Sequence, residues 1–220
     1  MNENTIRQSI AGQPREAHEH PLLVLSWILI LWAVTVSVAA GLHWLLRLPP
    51  AGVQAMAAAS AVVFGIAVQR TPALRAAVGR IGIRSILAFH AIRFVGIYFL
   101  WLGAQGSLPQ EFAERAGWGD IAAATGALAL IAFRDGPGFR RPLFAWNLIG
   151  MTDLAVAIAT AARLNLAQPG SMKELAQFPL ALVPLWIVPM LILSHLYLLF
   201  GARTRLRKGG SPPIVPPEHP

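Results

Sequence analysis

Ser85-Ile-Leu-Ala-Phe-His-Ala-Ile-Arg-Phe-Val-Gly-Ile-Tyr-Phe-Leu-Trp-Leu-Gly-Ala-Gln105 is a run of twenty-one residues with one formal charge, Arg93, near its middle. A stretch of that length and polarity crosses the ~30 Å hydrocarbon core of a bilayer as a single helix. Reading outward for apolar runs bounded by charge or by Pro and Gly predicts spans near 22–46, 51–69, 85–105, 119–133, 143–163 and 178–201. The fold class is therefore an all-α membrane protein, a six-helix transmembrane bundle. The 220 residues are 55% hydrophobic and 13% charged. Soluble domains carry about twice that charge, so an ordinary soluble domain is excluded. The chain has no cysteine, which excludes disulfides, thiolate metal sites, iron–sulfur clusters and covalently attached haem.

The basic residues orient the spans. Arg7, Arg15, Arg70, Arg75, Arg80, Arg84, Arg134, Arg140, Arg141, Arg203, Arg205, Arg207 and Lys208 fall on one side, against Arg47, Arg115, Arg163 and Lys173 on the other. By the positive-inside rule both termini are cytoplasmic, in a bacterial inner membrane. The same placement accounts for the sequence pI of 11.4 without nucleic acid as a partner. Residues 1–20 read as a polar cytoplasmic segment, 21–202 as the six-span domain, and 203–220 as a basic, then Pro-rich, disordered cytoplasmic tail. The first apolar run is too long for a signal peptide and is expected to stay on the protein. In the outer loop, Ser107-Leu-Pro-Gln110 fits a capping box, Gly117 a helix stop, and Asp120 the N-cap of a short fourth span. Pro184 and Pro189 are expected to kink the sixth span and free the carbonyls of Leu180 and Leu185.

Polar groups at membrane depth are costly, and they mark function. At 1.5 Å per residue from the cytoplasmic end, Arg93 lies roughly 12 Å deep and Asp153 roughly 15 Å. Opposite charges at one depth on the third and fifth spans predict an ion pair. His90, Asn147 and His195 form a second layer roughly 6–8 Å deep. His90 and Arg93, three residues apart, share a helix face. Asn147, Gly150, Asp153, Ala157 and Thr160 share one on the fifth span. The candidate ligand or ion pathway is thus Arg93, Asp153, His90, Asn147, His195 and Asp120.

Two stretches, Gly106-Ser-Leu-Pro-Gln-Glu-Phe-Ala-Glu-Arg-Ala-Gly-Trp-Gly-Asp120 and Trp146-Asn-Leu-Ile-Gly-Met-Thr-Asp153, resemble a group of uncharacterised bacterial multipass membrane proteins. The likeness covers about residues 85–200. It adds weight to Asp120, Asn147 and Asp153 and implies no activity.

Three readings follow. The first is transport of a small solute, a proton or an ion, with Arg93–Asp153 as a switchable pair and the histidines as relays. The second is a redox protein holding b-type haem, with His90 and His195 as axial ligands. The third is a membrane scaffold whose polar layer only holds the helices together. An intramembrane enzyme built on Asp153 or Asp120 lacks the metalloprotease, serine-hydrolase and paired-carboxylate motifs that such chemistry uses. Transport is placed first. The lipid bilayer is the expected partner, and a second copy or another membrane protein stays open.

Overall fold

The computed structural model describes residues 20–133 and 138–201, and among these every regular element is a helix. The polar N-terminal segment, Arg134 and the basic, Pro-rich tail lie outside the described residues. The helices are α1 (His20–Gly41), α2 (Gly52–Arg70), α3 (Pro72–Arg80), α4 (Ile83–Phe89), α5 (Val95–Ala104), α6 (Gln110–Ala132), α7 (Arg140–Ala167) and α8 (Val188–Leu196). Five stretches are long and apolar enough to cross a membrane: Pro21–Gly41, Gly52–Arg70, Ile83–Ala104, Arg140–Ala167 and Val183–Phe200. The outer surface is apolar too, with Trp27, Leu31, Val63 and Ile149 exposed, while Arg93, His90, Asn147 and His195 are buried. Polar inside and apolar outside is the arrangement that a hydrocarbon solvent requires.

Local chemistry explains the breaks. Thr71 precedes Pro72 and is pushed out of the helical region, to φ −101° and ψ 110°. That ends α2, and Pro72 opens α3 at a position where its missing N–H costs nothing. The third span is continuous, but its middle, His90–Phe94, is wound as a 3₁₀ helix between α4 and α5. With three residues per turn, side chains three apart eclipse, so His90 and Arg93 project along one line into the bundle.

The segment 106–120 departs from expectation. Gly117 does not stop a helix and Asp120 does not begin one: α6 runs unbroken from Gln110 to Ala132. Nor does a capping box form, because Pro109 occupies the N-cap position and no side chain caps the helix. The glycines serve a helix crossing instead. Gly96 of α5 lies against the Gly117 carbonyl, and a Cβ on Gly117 would sit 2.7 Å from Leu100 Cγ. The buried stripe of α6, with Ala113, Ala116, Gly117, Asp120, Ala124 and Ala127, repeats at helical spacing and is small enough for close approach. α6 falls outside the five apolar stretches because its first half carries Glu111, Glu114, Arg115 and Asp120.

The last span also differs. Pro184 sits in a π-helical turn, Val183–Ile187, and Val188 N–H reaches back to the Val183 carbonyl. The Leu180 carbonyl is not free, since it accepts from Val183 N–H at 2.9 Å. Trp186 Nε1 donates to the Leu29 carbonyl at 2.9 Å, tying this span to α1. Two apolar clusters bracket the polar layer: one holds Phe99, Leu102, Phe112 and Leu175, the other Leu87, Ala127, Leu130 and Leu143.

Candidate functional site

Arg93 is the centre of the layer. Its side chain is 1% exposed, and all three nitrogens of its guanidinium are engaged. Nε donates to Asp120 Oδ1 at 2.6 Å, Nη2 donates to Asp153 Oδ2, and Nη1 donates to the Gly150 carbonyl at 3.3 Å. The expected Arg93–Asp153 contact is present. Asp120 is not a helix cap but a second carboxylate on the same guanidinium. Its inward turn follows from the unbroken α6, which places it one turn beyond Ala116 on the buried stripe. Gly119 has a related task, because a Cβ there would collide with the Asp153 carboxylate. One guanidinium therefore faces two carboxylates, from α6 and α7, and the triad carries one negative charge when all three groups are ionised.

The histidines lie beside it. Asn147 Nδ2 donates to the His195 carbonyl at 3.1 Å, and Asn147 Oδ1 lies 2.7 Å from His195 Nδ1. Because Oδ1 can only accept, His195 Nδ1 carries the hydrogen and Nε2 presents a lone pair. Ser194 Oγ uses its hydrogen on the Leu191 carbonyl at 2.7 Å, so His90 Nε2, 2.9 Å from that oxygen, is the donor and Nδ1 is bare. His90 Nδ1 and His195 Nε2 are both buried without a hydrogen-bond partner. A Cβ at Gly150 would lie 3.1 Å from His195 Nε2 and 3.4 Å from Arg93 Nη1, so the bare nitrogen and the guanidinium approach the same point on α7.

The haem reading does not fit this packing. The His90 and His195 ring centroids are 4.6 Å apart in an edge-on contact, and both rings pack against Trp146. That leaves no slot for an iron and its macrocycle between them. Trp146 is itself pinned, its Nε1 donating to the Ala123 carbonyl at 2.9 Å. No group of three or more His, Asp or Glu suited to a metal ion occurs among the described residues.

A cavity of about 60 Å³ adjoins the triad, lined by Arg93, Asp120, Gln54 and apolar side chains that include Phe99, Phe112 and Pro184. That is the scale of a few water molecules. Gln54 Oε1 is buried beside it without a partner. Sequence reading passed over Gln54 because α2 reads as Ala-rich packing. Its signal was its size, as the one long polar side chain between Gly52 and Val68.

The profile of a domain of unknown function, DUF8737, matches residues 50–202. The chain belongs to the DUF8737 family. The matched region holds every residue of the triad and of the histidine layer, and also Gln54. Neither the curated proteins nor the solved structures contain a match.

Proposed function

We propose that this DUF8737 protein spans the bacterial cytoplasmic membrane six times, with α6 as the fourth span and both termini cytoplasmic. On this reading it passes a proton or small cation through the Arg93 site. The observation that carries the reading is the pair of carboxylates on one buried guanidinium. A net charge inside a low-dielectric bundle is costly, and one bound proton or monovalent cation neutralises the triad. The small cavity offers that guest two oxygen acceptors, Asp120 and Gln54 Oε1. The bare nitrogens of His90 and His195 supply two further acceptor sites toward the end of the bundle that bears Arg84, Arg140 and Arg141. Asp120 and Asp153 are the ion-binding groups here, Arg93 positions them, and His90 and His195 relay.

The test is flux. The full chain is reconstituted in vesicles holding a pH-sensitive dye, and a potassium diffusion potential is imposed. The wild type is expected to acidify or alkalinise the lumen in the direction of the potential, with Asp153→Asn and Asp120→Asn reduced at least ten-fold. Wild-type rates in both variants would refute the reading.

A second reading, the scaffold, draws on the engagement of all three guanidinium nitrogens. Under it, Arg93→Gln combined with both Asp120→Asn and Asp153→Asn restores the stability lost in Arg93→Gln alone, and the wild type shows no flux.

A further inference from the structure

A second cavity, of about 660 Å³, lies apart from the triad between α1, α2, α3, α4 and the last span. Its wall is apolar and aromatic, with Leu29, Phe64, Val68, Phe89, Met190 and Tyr197 on it. It follows the last span from Trp186 to Phe200, roughly 20 Å of helix. A single leaflet's chains reach about half of the ~30 Å hydrocarbon core, so a slot this long takes one such chain in full. Its volume falls within the roughly 300–1,000 Å³ of small-molecule sites.

One end of the slot is basic. Gln69, Ile81 and Ser85 line that end, and each has an arginine as a neighbour or next neighbour in sequence: Arg70, Arg80 and Arg84, all exposed. Arg75 joins them on α3, donating to the Gln69 carbonyl. No Asp or Glu occurs between Glu19 and Glu111, so no acidic side chain of α1 to α5 offsets Arg70, Arg75 or Arg84. α3 lays Leu74 and Ala77 inward with Val78 and Ile81 beside them, and keeps Arg75 and Arg80 outward, as an interfacial helix does.

We infer that this slot binds one anionic phospholipid, its acyl chain between α2 and the last span and its phosphate among Arg70, Arg75 and Arg84. Clustered basic residues at a membrane surface draw anionic headgroups, and the apolar slot turns that attraction into a site for a whole lipid.

Native mass spectrometry of the full chain in detergent tests the inference, with dioleoyl phosphatidylglycerol and dioleoyl phosphatidylcholine as probes. One phosphatidylglycerol per chain is expected to be retained, with at least ten-fold preference over phosphatidylcholine. Val68→Trp on α2 and Met190→Trp on the last span, which both fill the slot, should each cut retention at least ten-fold. Arg70→Gln with Arg84→Gln should keep lipid binding and remove the headgroup preference. Equal retention of the two lipids, or unchanged retention in both Trp variants, would overturn the inference in favour of lipid bound on the outer surface. If both Trp variants fail to fold, dihexanoyl phosphatidylglycerol decides: binding as tight as that of the dioleoyl lipid refutes the chain slot. Full competition by inorganic phosphate refutes it as well, leaving a simple anion site.

Discussion

Replacing Gly150 by alanine tests the packing of the polar layer with a single methyl group. A Cβ at this position would lie 2.7 Å from His195 Cε1, 3.1 Å from Nε2 and 3.4 Å from Arg93 Nη1. The first distance is below any ordinary carbon–carbon contact, so the ring has to move. It has little freedom to do so, being fully buried, tied to Asn147 through Nδ1 and packed on His90 and Trp146. Forcing an extra methyl into such a core costs about 1–3 kcal/mol. Losing the His195–Asn147 hydrogen bond adds about 1 kcal/mol. Against this, alanine is favoured over glycine inside a helix by about 1 kcal/mol. The balance is a destabilisation of about 1–3 kcal/mol, or roughly 2–12 °C in the unfolding midpoint for a chain of this size. Gly65→Ala is the control. Its Cβ would meet only the Leu193 Cδ2 methyl, at 3.2 Å, which a flexible side chain can yield, so that variant should match or exceed the wild type. Both are measured by thermal unfolding in detergent. If Gly150→Ala is as stable as Gly65→Ala, His195 is not held against Asn147, His90 and Trp146.

Further outcomes follow from the same geometry. Gly119→Ala should destabilise by driving a methyl into the Asp153 carboxylate, and adding Asp153→Ala should recover part of the loss, with a coupling of about 1–3 kcal/mol in a double-mutant cycle. Arg93→Lys should cost about 1.5–3 kcal/mol, because an ammonium keeps the charge but cannot span Asp120, Asp153 and the Gly150 carbonyl together; unfolding in detergent measures it. Trp146→Phe should cost about 1 kcal/mol by the same assay, through the lost hydrogen bond to the Ala123 carbonyl. The absorption spectrum of protein purified from haem-replete cells should show no Soret band. A band that disappears in His90→Ala would mean that the two imidazoles part to admit a macrocycle.

The parts of this architecture legible in the sequence are those that depend on length and depth alone. Apolar runs around Arg93 and Asp153 place two opposite charges at one level, and the structure brings them into contact. The pairing of Asp120 was hidden by composition: three charges and two glycines within Glu111–Gly119 read as a loop, whereas tertiary packing carries α6 straight through them. A glycine that ends a helix and one that lets a neighbour approach look alike until the neighbour is known. The 3₁₀ stretch at His90–Phe94 leaves no local mark either, since none of its residues breaks a helix. α3 did leave one. Thr71-Pro72 and the spacing of Leu74, Ala77, Val78 and Ile81 are helix signals, overshadowed by the arginines around them.

That 3₁₀ stretch sets a mechanical ratio within the third span. Each residue that passes between 3₁₀ and α winding changes the axial rise by about 0.5 Å and the angular step by about 20°. Exchange of all five residues from His90 to Phe94 would draw α4 and α5 together by about 2.5 Å, and would turn Arg93 about 60° around the axis relative to His90. In such an exchange the two halves of the helix would move like a bolt and its nut. Axial displacement and rotation of the guanidinium are one motion, so a push on either end of the span would be felt at both carboxylates as torque.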